Sequence, residues 1–290
     1  MKEIKILVVL IVLTLIIYYG VEPYAHSVME PPVAKPNYTF KDLKGLGALK
    51  GDAKKGASIV QTNCIACHSI KSAGFPAVMD NKSAGAAYGV VPPDLSHAGT
   101  LYDADYLFAF INNPAKAQMV SDKFKGNKMF PMPSFSWMKP QDIADAVAYL
   151  QSIAPKKMTN KEAFEAACQR CHSLKYADML KGTMVAHTPE KDLKHYLGKN
   201  PPDLSQMIRS KGAQYLHEFI NDPRKHLPGT AMPRVGLTKK AETKVVTYLS
   251  SVGESKAEVR ENLGPKVLIY LVIFAIFAWL WKMKIWRDVH

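Results

Sequence analysis

The chain says the same thing twice, and this constrains its fold more than any other feature. Cys64-Ile65-Ala66-Cys67-His68-Ser69 recurs as Cys168-Gln169-Arg170-Cys171-His172-Ser173. Pro92-Pro93-Asp94-Leu95-Ser96 recurs as Pro201-Pro202-Asp203-Leu204-Ser205. Tyr106-Leu107, Phe110-Ile111-Asn112 and Pro114 return as Tyr215-Leu216, Phe219-Ile220-Asn221 and Pro223. Met132-Pro133 answers Met232-Pro233, and each leads into a stretch closing on Tyr149-Leu150 or Tyr248-Leu249. Four blocks in one order, about 100 residues apart, mean two copies of one domain rather than a solenoid. The copies fall at residues 48–155 and 156–253, with the boundary near Ala154-Pro155-Lys156-Lys157.

Each copy reads as helical. Ile143, Ala146, Val147 and Leu150 recur at helical spacing behind Pro140, which suits a first-turn position. Leu107, Phe110 and Ile111 do the same, and Pro114 ends that helix. Thr159-x-x-Glu162 predicts a capping box opening the helix that carries Cys168. No stretch sustains a strand's alternation, so the fold class is mainly α.

The two ends are different in kind. Ile6 to Val21 is uncharged and almost wholly apolar, behind Lys2 and Lys5. Gly20-Val21-Glu22-Pro23-Tyr24-Ala25 offers no small-x-small cleavage site, so residues 1–24 read as an uncleaved transmembrane anchor. A processed signal peptide is the alternative. Pro23, Pro31, Pro32 and Pro36, then Gly45, Gly47 and Gly51, mark residues 25–47 as an extended linker. At the other end Val267 to Trp281 is unbroken apolar sequence, extended by Ile285 and Trp286 past Lys282 and Lys284, which can snorkel. A buried core helix would not be apolar on every face, so residues 254–290 read as a second anchor with a short tail. Lys2, Lys5, Lys282, Lys284 and Arg287 flank the anchors and put both termini in the cytoplasm, with residues from about 25 to 262 across the membrane.

The four cysteines form two pairs and leave none for a disulfide framework. Cys-x-x-Cys-His is the attachment signature of c-type haem: two thiols on one helical turn can add to the two porphyrin vinyl groups, and the following histidine reaches the iron. A zinc site would need further ligands, and a redox dithiol would sit in a βαβ context that is absent here. His68 and His172 are thus candidate iron ligands beside Cys64, Cys67, Cys168 and Cys171. A thioether is the usual sixth ligand in Met/His cytochromes, where it raises the potential. The repeat nominates Met232, and in the first copy Met132 over Met129 and Met138, because Pro133 follows it. His26, His97, His187, His195, His217, His226 and His290 have no repeated counterpart and read as surface or satisfied histidines, with His226 notable for lying six residues before Met232. The proline blocks can hold a carbonyl that orients the histidine, from Pro92 and Pro201 or from Pro93 and Pro202; a simple turn is the other reading.

The net charge of +13 is uneven: residues 156–253 carry 17 basic against 9 acidic side chains, and residues 48–155 carry 10 against 8. A basic face on the second copy could steer an acidic redox partner, and a solvated lysine-rich surface is the plainer account. Nucleic acid is not a serious partner for a translocated haem domain.

Each copy resembles a cytochrome c domain along its length. The Pro-Pro-Asp-Leu-Ser block, the C-terminal anchor and the ending Ile285-Trp286-Arg287-Asp288-Val289-His290 resemble cytochrome c1, the c-type subunit of the quinol–cytochrome c reductase (cytochrome bc1) complex. The duplication is similar to the dihaem cytochrome c1-type subunit of some bacteria. That resemblance implies two tandem class I-like cytochrome c domains flanked by two transmembrane helices, with two covalently attached c-type haems. It further implies a bacterial inner-membrane location with periplasmic haem domains, and cytochrome b and Rieske iron–sulfur subunits as partners. The role implied is relay of single electrons from the Rieske protein to a periplasmic cytochrome c or terminal oxidase, with no bond-making step for side chains to catalyse. A dihaem subunit of a cbb3-type haem–copper oxidase is the alternative within this class, and a dihaem peroxidase-like enzyme the alternative outside it.

Overall fold

The computed structural model describes residues 2–29, 38–126, 128–180 and 187–289; Pro31, Pro32 and Pro36 of the expected linker, and His290, lie outside them. Among these residues the chain is helical, and its β pairing is confined to three isolated bridges, Ile70–Phe75, Tyr102–Leu237 and Leu174–Met179.

The N-terminal apolar run forms α1 (Lys2–Ile16), which continues through a π-turn (Ile17–Val21) into α2 (Glu22–Met29). The first repeat follows with α3 (Ala53–Asn63), α4 (Asn81–Tyr88), α5 (Ala98–Leu101), α6 (Ala104–Asn112), α7 (Pro114–Ala117) and α8 (Pro140–Ile153). The second contains α9 (Asn160–Ala167), α10 (Glu190–Leu197), α11 (Met207–Phe219), α12 (Pro223–His226) and α13 (Lys239–Gly253), and α14 (Ala257–Val289) closes the chain. Capping residues set many of the starts. Asp52, Asp80 and Asp103 each accept two backbone N–H groups at the heads of α3, α4 and α6, and the Thr159–Glu162 capping box opens α9 as expected. Pro114 ends α6 and opens α7, and Pro140 opens α8.

The helix before each haem motif packs on the last helix of its repeat. Between α3 and α8 the approach is so close that a Cβ on Gly56 would strike the Asp145 carbonyl, and one on Gly51 the Ala144 carbonyl. The two cores match position for position. Val60, Ile70, Ala146 and Leu150 are buried in the first repeat, and Phe164, Leu174, Val245 and Leu249 take their places in the second. One pair departs: Phe108 and Ile143, buried together in the first repeat, become His217 and Glu242 in the second. Glu242 is fully buried, with its carboxylate 2.7 Å from His217 Nδ1.

The repeats share a seam. The segment after Met232 lies along α5 and α6: Asp103 N–H donates to the Gly236 carbonyl at 3.0 Å, Thr238 N–H to Leu101 O at 3.1 Å, and Tyr106 Oη to Arg234 O at 3.0 Å. Gly236, at φ +78°, lies flat against the Tyr106 ring, where a Cβ would collide. Arg234 is buried and pairs with Asp42 at 2.7 Å, while Leu101 packs into the second repeat's core. The first repeat is also longer here. Eighteen positions separate Pro114 from Met132, against nine between Pro223 and Met232. From the longer loop Phe124 and Phe130 pack on Tyr196 of α10, and Lys123 and Lys128 donate to carbonyls of Leu197, His195 and Tyr196.

The terminal helices are apolar over Glu3–Met29 and Ala257–Arg287, and no part of either span is buried within the protein. Glu3 and Lys282 form an ion pair between them. The first helix runs five residues past position 24, and Phe40 is buried, with Leu43 and Leu46 packed on the first repeat. The segment 25–47 is therefore a linker only in part, because its apolar residues dock as soon as they reach the domain.

Candidate functional site

In each repeat the cysteines and the histidine fall on one turn of chain at the end of a helix. Cys64 N–H donates to Val60 O at 2.9 Å, and Cys67 and His68 N–H donate to Cys64 O at 3.1 and 2.9 Å. Cys168, Cys171 and His172 repeat this with Phe164 O and Cys168 O, at 2.8, 3.1 and 3.0 Å. Each imidazole is then fixed by a proline carbonyl. His68 Nδ1 donates to Pro93 O at 2.9 Å and His172 Nδ1 to Pro202 O at 2.8 Å. The second proline of each pair is the acceptor, which leaves Nε2 as the nitrogen that would ligate iron.

A clamp around each histidine was not read from the sequence. Ser69 Oγ donates to Asp94 Oδ2 at 2.7 Å, and Ser173 Oγ to Asp203 Oδ2 at 2.7 Å. Leu95 N–H donates to Ser69 O, and Leu204 N–H to Ser173 O. Ser96 and Ser205 hydroxyls accept the N–H groups of Ser72 and Tyr176. The signal was there: the serine after each histidine and the aspartate after each proline pair are both repeated. Burial would raise these carboxyls, but the hydrogen bonds outweigh it and hold both below their ordinary value.

Burial pushes the Cys64 thiol up to about 11 and the Cys168 thiol up to about 12, the partner cysteine adding in the same direction. A metal-binding or redox-exchanging cysteine needs the reverse, a stabilised thiolate. Burial likewise holds His68 below its ordinary value against the Pro93 carbonyl, keeping a neutral ring. Two thiols on one turn and an oriented imidazole are the groups that a c-type haem requires, the thiols to bond the porphyrin and the imidazole to ligate the iron.

The candidate methionines lie in the segments between α7 and α8 and between α12 and α13. Phe135 N–H donates to Ile111 O at 3.1 Å, and Val235 N–H to Ile220 O at 3.4 Å. Ile111 and Ile220 are repeat partners, and Met132 and Met232 each stand three residues before the donor. They are half-buried and occupy equivalent places. Met129 is 84% exposed, and Met138 packs on the cluster of Leu107, Phe108 and Ile143. Of the other histidines, His217 is the partner of Glu242. His226 is enclosed against Tyr215 and Phe219, with Glu218 4.0 Å from Nδ1.

The second motif also meets the first repeat directly. Cys171 packs on the cluster of Leu193, Tyr196 and Leu197, on which Val90, Phe124 and Phe130 of the first repeat also pack, whereas Cys67 is exposed. Arg170 donates to the Val91 carbonyl at 3.4 Å.

The profile of the cytochrome c family matches residues 53–154 and 159–253, one match per repeat. The ammonia monooxygenase gamma subunit of Nitrosomonas europaea is 27% identical over 37% of this chain, which spans 62% of that protein's length. Cytochrome c of Cochliobolus lunatus is 28% identical over 37% of this chain and 96% of its own, and cytochrome c of Arabidopsis thaliana 29% over 36% and 91%. A solved chain titled "Hyperthermophilic respiratory Complex III" aligns with 45% of this chain and 75% of its own, at 24% identity and a TM-score of 0.33.

Proposed function

The chain belongs to the cytochrome c family, as an electron-transfer protein carrying covalently bound c-type haem, and from that membership we propose that it is a membrane-anchored dihaem cytochrome c1-type subunit. In this reading it relays single electrons from the Rieske iron–sulfur protein of a quinol–cytochrome c reductase to a periplasmic cytochrome c or terminal oxidase. The observation that carries the two-haem count is the duplicated histidine clamp, His68 on Pro93 and His172 on Pro202, each complete in its own repeat.

Cys64 and Cys67, and Cys168 and Cys171, take the thioether bonds. His68 and His172 would supply the iron's nitrogen ligands, and Met132 and Met232 its sulfur ligands. The haem, once bound, supplies the one-electron chemistry. The chain's own residues orient the imidazoles, exclude water and present surfaces for docking. The apolar helices at both ends support anchoring by two spans, with both termini in the cytoplasm and the haem domains in the periplasm. Lys123, Lys128 and Lys199 lie near one another beside the Cys171 motif, with Arg224 next to them paired to Asp122, and the excess of lysines supports an acidic redox partner there.

The test is made on membranes solubilised in mild detergent. This polypeptide should co-purify with b-type haem, and quinol should reduce its c-type haem in a reaction blocked by an inhibitor of quinol oxidation. Absence of b haem and of quinol-dependent reduction would reject the cytochrome c1 reading.

A further inference from the structure

The haem motifs differ at the residue before the second cysteine, Ala66 in the first repeat and Arg170 in the second. Arg170 does not turn out to solvent. Its Nη1 donates to Val91 O at 3.4 Å, two residues before the proline whose carbonyl orients His68. Val91 N–H donates to Thr188 Oγ1 at 3.0 Å, and Thr188 N–H returns to the Arg170 carbonyl at 2.9 Å. These three bonds form a closed ring running through both repeats, and they fix the guanidinium where the two haem-attachment loops meet. Its Nε is buried without a partner, and no carboxylate pairs with the side chain among the described residues.

An uncompensated positive charge in a partly buried site acts strongly on neighbouring centres, because little solvent screens it. It favours the state of a nearby redox centre that holds one more electron, and so raises that centre's potential. We propose that Arg170 is a positioning residue shared by both redox centres, a cation of the second repeat that raises the potential of the first repeat's haem as well as its own. This rests on the two-haem reading.

The experiment is a redox titration of the full-length protein in detergent, followed by haem absorbance, after haem per chain has been counted by pyridine haemochrome. Met232→Ala identifies the second repeat's wave by lowering it. Arg170→Gln should lower both waves, and Arg170→Lys, which keeps the charge, should restore most of each shift. Thr188→Val breaks the ring without changing charge and should leave both waves close to the parent. The proposal is overturned if Arg170→Gln moves only the second wave or neither, if lysine fails to restore, or if Thr188→Val moves the waves as far as Arg170→Gln. One haem per chain in the parent protein would overturn the two-haem reading itself, and the shared cation with it.

Discussion

At the scale of single residues, the duplicated clamp makes the proximal histidine a well-held ligand, and its aspartate gives a pH signature. Burial raises the Asp203 carboxyl, but bonds from Ser173, Ser205 and backbone N–H groups win, so its folded value lies below the unfolded one. Its stabilisation is therefore present above the unfolded value of about 4 and is lost as pH falls through the folded value. Thermal melts of Asp203→Asn should be less stable than the parent at neutral pH and should converge with it in acid. Met232→Ala should lower the potential of one haem, since the thioether favours the ferrous state, and leave the other much nearer its parent value in the same titration. The His217–Glu242 pair yields a sharper forecast, because the first repeat shows its apolar equivalent. His217→Phe alone leaves the buried Glu242 carboxylate with Tyr38 but without its imidazole partner and should cost about 3 kcal/mol in denaturant titration. Adding Glu242→Ile, which copies Phe108 and Ile143, should recover most of that loss. None of this pair was legible in the sequence. His217 had no repeated counterpart to mark it, and a carboxylate in a helix otherwise reads as a solvated face.

At the scale of elements, the sequence was most readable where chemistry and capping leave local marks. The α9 capping box, the proline starts of α7 and α8 and the mainly helical class follow from short patterns. The seam does not, because its bonds join residues far apart in the chain and its key partners are backbone atoms. Asp103 to Gly236 and Tyr106 to Arg234 leave no motif. The choice between the paired prolines was also closed to sequence reading, since both can offer a carbonyl and only the turn's geometry selects Pro93 and Pro202. Glycine at position 56 is the clearest mark of close packing between elements. Gly56→Ala would push α3 away from the Asp145 carbonyl on α8, and overpacking of this kind should cost about 1–3 kcal/mol in a thermal or denaturant melt. The first repeat should lose stability before the second.

At the scale of the whole molecule, two long apolar helices flank the repeats and meet through Glu3 and Lys282. On the proposed topology, with both termini in the cytoplasm, a green fluorescent protein fused after His290 should fluoresce, and alkaline phosphatase fused there should be inactive. Phosphatase inserted near Pro155, between the repeats, should be active. The opposite pattern would reverse the topology. The seam also limits how this protein could be taken apart. Read as text, the second repeat is a self-sufficient cytochrome with every expected ligand. In space, the stretch that follows Met232 leans on Leu101, Asp103 and Tyr106 of its neighbour, and Arg234 reaches Asp42 beyond them. Cut free at Pro155, that half would keep its spelling but lose the bonds that hold the stretch after Met232. Separated, the second half should be less stable than it is in the full chain, because the seam's bonds are shared between the repeats.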